Sequence, residues 1–255
     1  MTWSATQYSL FENERTRPVR DLLAAVPLGE AASAIDLGCG PGNSTQLLAE
    51  RFPGAHVTGL DSAADMLAAA RARLPGIAFE RADISRWDPP QRYDVILANA
   101  SLQWVPDHDS LYPRLAGRLA PGGCLAVQTP DNAREPAHLL LEEVAADERW
   151  AARLSGAKRL ERHDAQWYYT LLKPHCARVD VWRTTYYHAL AGGSAAVVEW
   201  FKGSSLRPFL DLLDAGQQAL FLERYTAAIA QAYPPLADGT VLLPFPRLFL
   251  VASQH

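Results

Sequence analysis

Asp36-Leu37-Gly38-Cys39-Gly40-Pro41-Gly42 places three glycines at alternate positions behind a carboxylate. Glycine tolerates positive φ and lets backbone N–H groups approach a ligand with no Cβ in the way, so the run reads as a strand ending in a cofactor loop. Asn43-Ser44-Thr45-Gln46-Leu47-Leu48 then opens a helix. A second carboxylate, in Leu60-Asp61-Ser62, follows Gly42 by about 20 residues, where the next strand of a nucleoside-binding fold brings an acid beside a ribose diol. A dinucleotide fingerprint asks for glycine three positions after Gly40, and that position is Asn43. The spacing therefore weighs against a nicotinamide site.

The elements around these residues alternate. Residues 18–26 begin with Pro18 and place Val19, Leu22, Leu23 and Val26 at helical spacing, which predicts a helix with proline in its first turn. The pattern then predicts strand 33–37, helix 43–52, strand 55–60, helix 63–73, strand 77–81, strand 93–98, helix 108–119 and strand 122–128. Strands and helices in this order imply an α/β fold, a parallel sheet covered on both faces with ligands at the carboxyl ends of its strands. Asp36, Asp61, Asp83 and Asn99 all fall at those ends. Beyond Thr129 the alternation loosens. Residues 131–165 read as helical and charged, 178–187 as a strand, 194–233 as two or three helices, and 241–251 as a last strand. Pro244 and Pro246 confine the first half of that strand to an edge or bulge. The helices of about 190–238 read as a lid over the strand ends of a single 1–255 domain.

With 255 residues, 49% of them hydrophobic, the chain can bury one large core. Its formal net charge is −4, with 24 Lys and Arg against 28 Asp and Glu and no concentrated basic run. That balance argues against a nucleic-acid or anionic-membrane partner. Cys39, Cys124 and Cys176 stand far apart and form no C-x-x-C, so neither a metal site nor a disulfide framework is indicated. A reduced, cytoplasmic setting is the simpler reading, and no apolar stretch approaches the length of a membrane span.

The Asp-x-Gly-x-Gly-x-Gly run resembles the S-adenosylmethionine loop of the Rossmann-like class I methyltransferases. The resemblance implies a mostly parallel seven-stranded sheet with helices on both faces and a helical lid inserted before the last strand. It also implies a cofactor site built from Asp36, Gly38, Cys39, Gly40, Asn43, Asp61, Ser62, Met66, Asp83, Ile84, Asn99 and Ala100, with Arg15 gripping the cofactor's carboxylate. Asp83 would read the adenine amino group, and Asn99 and Ala100 would border the transferable methyl. Simpler roles stay open for three of these: Asn43 with Gln46 makes a capping box, Asp83 a turn residue and Met66 helix core.

Longer segments narrow the likeness. Tyr8 with Phe11 through Pro18, Asp36 through Thr45, Asn99 through His108, Gln128 through Asn132, Trp182 through His188, Glu199 through Gly203, Leu206 through Phe209 and Phe245 through Phe249 resemble the trans-aconitate methyltransferase family. The likeness runs from end to end and is weakest over residues 133–165. It implies methyl transfer from S-adenosylmethionine to a carboxylate of trans-aconitate, giving a monomethyl ester and S-adenosylhomocysteine. A carboxylic acid of pKa about 4 is already ionised at neutral pH, so neither a general base nor a catalytic triad is expected.

A tricarboxylate needs neutralisation and aim, which planar arginine forks supply. Arg15, Arg17, Arg183, Lys202, Arg207 and Arg247 are the candidates, with His188, Tyr186, Tyr187, Gln103 and Trp104 as supporting donors or walls. Trp104 and Trp200 serve equally well as core aromatics, and His108, after Asp107 at a helix start, reads as structural. The partner is a small polycarboxylate, met by a monomer or weak homodimer. Two rivals stay open: a same-fold methyltransferase acting on a different small carboxylic acid, and a non-catalytic S-adenosylmethionine-binding protein.

Overall fold

The structure, a computed structural model, describes residues 12–157 and 162–255, and for residues 12–15 the backbone alone. Tyr8 and Phe11 lie outside the described residues. In chain order the elements are α1 (Glu12–Ala24), β1 (Ser33–Leu37), α2 (Asn43–Arg51), β2 (His56–Asp61), α3 (Ala64–Arg73), β3 (Ala78–Arg81), β4 (Tyr93–Asn99), α4 (His108–Gly117), β5 (Leu119–Pro130), α5 (Pro136–Ala145), α6 (Ala151–Leu154), α7 (Ala165–Leu172), β6 (Arg178–Leu190), α8 (Gly193–Lys202), α9 (Arg207–Leu210), α10 (Ala215–Ala232) and β7 (Val241–Ser253). Short 3-10 turns lie at Ile84–Arg86 and Leu102–Trp104.

The seven strands form one sheet in the order β3-β2-β1-β4-β5-β7-β6. β1 to β5 pair in parallel and β7 runs antiparallel to β5, which is the mostly parallel sheet that the sequence implied. Strands buried on both faces need near-continuous apolar sequence, and Ala34-Ile35 in β1 and Val95-Ile96-Leu97-Ala98 in β4 supply it. On one face Ile35, Leu37, Ile96, Ala98, Leu125, Val127, Leu248 and Leu250 pack with Leu111, Tyr112 and Leu115 of α4 and Tyr168 and Leu172 of α7. The other face is covered by α1 and α2, with α1 packed on β5 and α2 on β1.

The chain divides into two compact units. The first comprises Met1–Pro130, Glu161–Thr184 and Arg247–His255; the second comprises Asp131–Leu160 and Thr185–Pro246. Within the second unit α10 packs against α5 and α8. Tyr225 Oη donates to the Ala137 carbonyl at 3.0 Å, Ala137 N donates to Tyr233 Oη at 3.1 Å, and Trp150 packs on Phe221 with ring centroids 5.4 Å apart. The helices of about 190–238 are thus joined by α5 and α6 from earlier in the chain, so this helical unit is discontinuous in sequence.

Several boundaries differ from the sequence reading for local reasons. α1 reaches back to Glu12 and carries Pro18 in its interior. Proline removes one donor there without ending the helix, because apolar Val19, Leu22 and Leu23 stay buried along the same face. β5 starts at Leu119, before the Pro121-Gly122-Gly123 turn signal, with a register shift opposite Tyr93 and Val95 and Gly122 at φ 72°. α7 escapes the periodicity reading because it is short; Asp164 caps it by accepting from Trp167 N at 2.8 Å.

Candidate active site

β1 ends at Leu37, and the chain turns into α2 through Gly38 at φ 77°, Gly40 at φ 54° and Gly42 at φ 92°. Gly38 N and Cys39 N both donate to the Leu60 carbonyl, at 2.7 and 2.9 Å, which ties the loop to the end of β2. A Cβ on Gly38 would lie 2.3 Å from Ser101 Cβ, whereas one on Gly40 would meet nothing within 4 Å. Packing demands the first glycine; the second leaves open space where a ligand can meet the backbone. Asp61 accepts from Gly40 N through Oδ2 and from Ala63 N through Oδ1, each at 2.9 Å. A carboxylate has about four lone-pair sites, so both oxygens retain capacity for ligand hydroxyls.

Asp36 is fully buried beside this loop. Ser44 Oγ and Thr45 Oγ1, from the first turn of α2, both donate to its Oδ2 at 2.7 Å, while Oδ1 is buried with no hydrogen-bond partner. Burial raises the carboxyl from 3.8 to about 6, against the lowering pull of the Thr45 and Ser44 hydroxyls, and the nearby Asp61 charge adds to the rise. Asn99 Oδ1, at the end of β4, is likewise buried without a partner. A recess lined by Thr16, Val19, Gly38, Cys39, Pro41, Asn43, Ser44 and Asn99 opens here. Two orphaned acceptors beside an open glycine loop suit a ligand bearing positive charge or N–H groups.

The remaining expected cofactor residues divide. Gly42 occupies the N-cap of α2 with no side-chain cap, and Gln46 Nε2 donates to Glu50 instead. The capping box is therefore not made, and Asn43 lines the recess. Met66 is buried as helix core, Ser62 is exposed, and Ile84 is buried behind Asp83. Asp83 Oδ1 accepts from Ser85 N at 2.9 Å and caps the 3-10 turn, so that oxygen has the turn role. Ala100 sits at φ 51°, a conformation that costs a residue with a Cβ energy and clusters at functional sites. Gln103 Nε2 donates to the Ala100 carbonyl at 2.9 Å, and Oε1 is buried without a partner. Gln103 thus keeps an acceptor in addition to its bond to Ala100. Trp104 is half-buried, and Arg15 lies on α1 with its side chain outside the described part.

One feature of the sheet was not visible in the sequence. Asp36 is the register partner of Leu97, two residues before Asn99; Asn99 pairs with Gln128; Gln128 pairs with Phe249, two residues beyond Arg247. Side chains alternate along strands, so Asp36, Asn99, Gln128 and Arg247 share one sheet face and form a polar row across four neighbouring strands. Gln128 is fully buried, Arg247 is 4% exposed, and Arg247 Nη1 donates to Gln128 Oε1 at 2.8 Å. In the sequence Gln128 showed only as a polar residue ending the apolar run Leu125-Ala126-Val127, at the head of a segment that resembles the family.

The other basic candidates are dispersed. Trp182 stacks on Phe249 with centroids 5.0 Å apart, placing it on the face of the polar row; Arg183, its neighbour on β6, is exposed on the opposite face. Arg17 is exposed on α1. In the second unit, Tyr186 and His188 are buried on β6, where the His188 ring stacks on Trp200 at 4.4 Å and lies 5.4 Å from Phe245. Trp200 is therefore a core aromatic, while Tyr187 is exposed. Lys202 pairs with Glu199 and half-buried Arg207 with Asp211 at 3.9 Å. His108 is structural as expected, held between Tyr168 Oη at 2.7 Å and the Leu102 carbonyl at 3.0 Å.

Comparison with known proteins gives the family. A family model of the methyltransferase domain matches residues 34–123. The trans-aconitate 2-methyltransferase of Methylobacterium nodulans is 58% identical over 99% of this chain and 98% of its own length. Those of Rhodopseudomonas palustris (strain BisB18) and Sinorhizobium fredii are 53% and 54% identical, covering 99% and 100% of this chain and 99% of each relative. Among solved structures, YcgJ from Bacillus subtilis shares the fold at TM-score 0.62 and 9% identity, over 94% of this chain and 98% of that one. The BH2331 protein of Bacillus halodurans C-125 does so at TM-score 0.60 and 13% identity, over 93% and 99%. The structures establish the class I methyltransferase fold, and the full-length sequence relatives go further. The chain belongs to the trans-aconitate 2-methyltransferase family.

Proposed function

We infer that the chain transfers a methyl group from S-adenosylmethionine to a carboxylate of trans-aconitate, giving the monomethyl ester. Full-length likeness to trans-aconitate 2-methyltransferases supports the reaction, and the structural observation that carries the site is the pair of orphaned acceptors, Asp36 Oδ1 and Asn99 Oδ1. They fit a cofactor with a sulfonium and an ammonium group. Asp36, Gly38, Cys39, Gly40, Asn43, Asn99 and Ala100 would hold its methionine end, with Arg15 on its carboxylate. Asp61 and Ser62 would take the ribose, and Met66, Asp83 and Ile84 the adenine.

When bound, S-adenosylmethionine supplies an electrophilic methyl group, and the carboxylate oxygen gains an O–CH3 bond as the S–CH3 bond breaks with its electron pair left on sulfur. No proton moves, so the chain's residues need only bind, aim and exclude water. Holding the reactants in line is worth on the order of 7–11 kcal/mol. Arg247 would supply positive charge for a triacid, with Gln103 and Trp104 as supporting walls; likeness to the family keeps Arg207 and Lys202 as further candidates. Net charge without a basic run suits a cytoplasmic enzyme that meets a small molecule, as monomer or weak homodimer, rather than nucleic acid or membrane.

A panel of di- and tricarboxylates, assayed for methyl ester formation, tests this reading. Trans-aconitate should show the highest kcat/KM. Esters formed only on another acid would replace the substrate, and cofactor binding with no transfer to any acid would leave a non-catalytic binder.

A further inference from the structure

We propose that Gln128 is a substrate-positioning residue: with Arg247 it forms a two-donor seat for one carboxylate of the substrate. The proposal rests on the polycarboxylate reading above and adds a residue that reading does not contain.

The polar row runs from acid to base. Asn99 lines the cofactor recess, Asp36 accepts from Ser44 of its wall, and each keeps an unpartnered acceptor; Gln128 and Arg247, on the next two strands, present donors. The reactants have the same polarity, a cationic methyl donor and an anionic acceptor, so the row matches the order in which they must be placed. Strands neighbour one another at about 4.8 Å, so Gln128 stands about 5 Å from Asn99, with β7 one strand further on, which a small triacid bridges through hydrogen bonds.

The amide of Gln128 supplies the decisive detail. Its Oε1 is committed to the Arg247 guanidinium, which fixes the amide orientation and turns Nε2 away as a donor. That Nε2 is fully buried and has no hydrogen-bond partner. An unsatisfied buried donor is costly and calls for a ligand acceptor. A carboxylate provides two oxygens, one for the Nε2 donor and one for the guanidinium fork. Holding Arg247 in place would by itself require only Oε1.

Gln128→Glu separates seating from mere support. Glutamate keeps an acceptor for Arg247 and strengthens that bond by charge, so a purely structural role predicts an unchanged KM. A carboxylate seat predicts that Gln128→Glu raises KM for trans-aconitate more than Gln128→Leu, each by about tenfold or more, because the new anion repels the substrate. Affinity for S-adenosylhomocysteine, measured by calorimetry, should stay within about twofold in both variants. If Gln128→Glu fails to fold, Gln128→Leu decides in an Arg247→Leu background, where support of the guanidinium no longer matters: the seat predicts a further rise in KM, and no further rise overturns it. An unchanged KM overturns the seat, and so does loss of S-adenosylhomocysteine affinity in step with KM, which would assign the amide to the cofactor. Wild-type protein that esterifies no acid would instead remove the underlying reading of function.

Discussion

Ser101 stands where a side chain on Gly38 would have to be. The Gly38 Cβ position lies 2.3 Å from Ser101 Cβ, and Ser101 Oγ is itself fixed by a 2.6 Å hydrogen bond to the Leu37 carbonyl. Serine cannot retreat without breaking a buried bond, and Gly38 at φ 77° already disfavours any Cβ. Gly38→Ala should therefore lose about 3 kcal/mol of unfolding free energy, from left-handed strain and overpacking together. Gly40→Ala, at positive φ but with open space, should lose only about 1 kcal/mol and should instead weaken S-adenosylhomocysteine binding. Denaturant unfolding and calorimetry on both variants check the contrast; equal stability losses would contradict it.

Asp36 makes the unliganded protein respond to pH. Its carboxyl is raised from 3.8 to about 6, so between those values the folded state binds a proton that the unfolded state has released. Stability from this group is full below pH 3.8 and is lost as pH rises through about 6, on the order of 3 kcal/mol in all. Asp36→Asn removes the dependence, so the variant's stability relative to wild type should improve from pH 4 to pH 7. A cationic ligand favours the ionised carboxylate, so cofactor affinity in wild type should rise over the same interval. Parallel pH profiles for the two proteins would contradict the assignment.

The glycine loop and the strand–helix alternation were legible because each depends on neighbours in sequence: positive φ at Gly38, Gly40 and Gly42, and apolar runs in β1 and β4. The polar row was not legible, because it depends on register. Gln128 meets Arg247 only when β7 returns antiparallel to β5, a pairing that no local periodicity encodes. At Asn43 two readings stood side by side. Asn-x-x-Gln carries the chemistry of a cap, yet Gly42 in the left-handed conformation takes the cap position and leaves Asn43 to line the recess. Pro18 was read as a helix start because proline favours that position, while the burial of Val19 and Leu22 keeps the helix running through it.

Arg207 offers a separate test of the basic candidates. It is half-buried in the second unit, with Asp211 at 3.9 Å as an acidic neighbour. Arg207→Ala should raise KM for trans-aconitate about tenfold, the loss of one charge-assisted hydrogen bond of about 1.5–3 kcal/mol. Steady-state kinetics decide it: an unchanged KM removes Arg207 from the substrate site.

The most direct test of the whole account is methyl transfer itself. Purified protein is incubated with methyl-labelled S-adenosylmethionine and trans-aconitate, and ester and S-adenosylhomocysteine are quantified together. One labelled monomethyl ester should form for each S-adenosylhomocysteine, with no added metal or base. A labelled donor that stays intact in the presence of the triacid would contradict it.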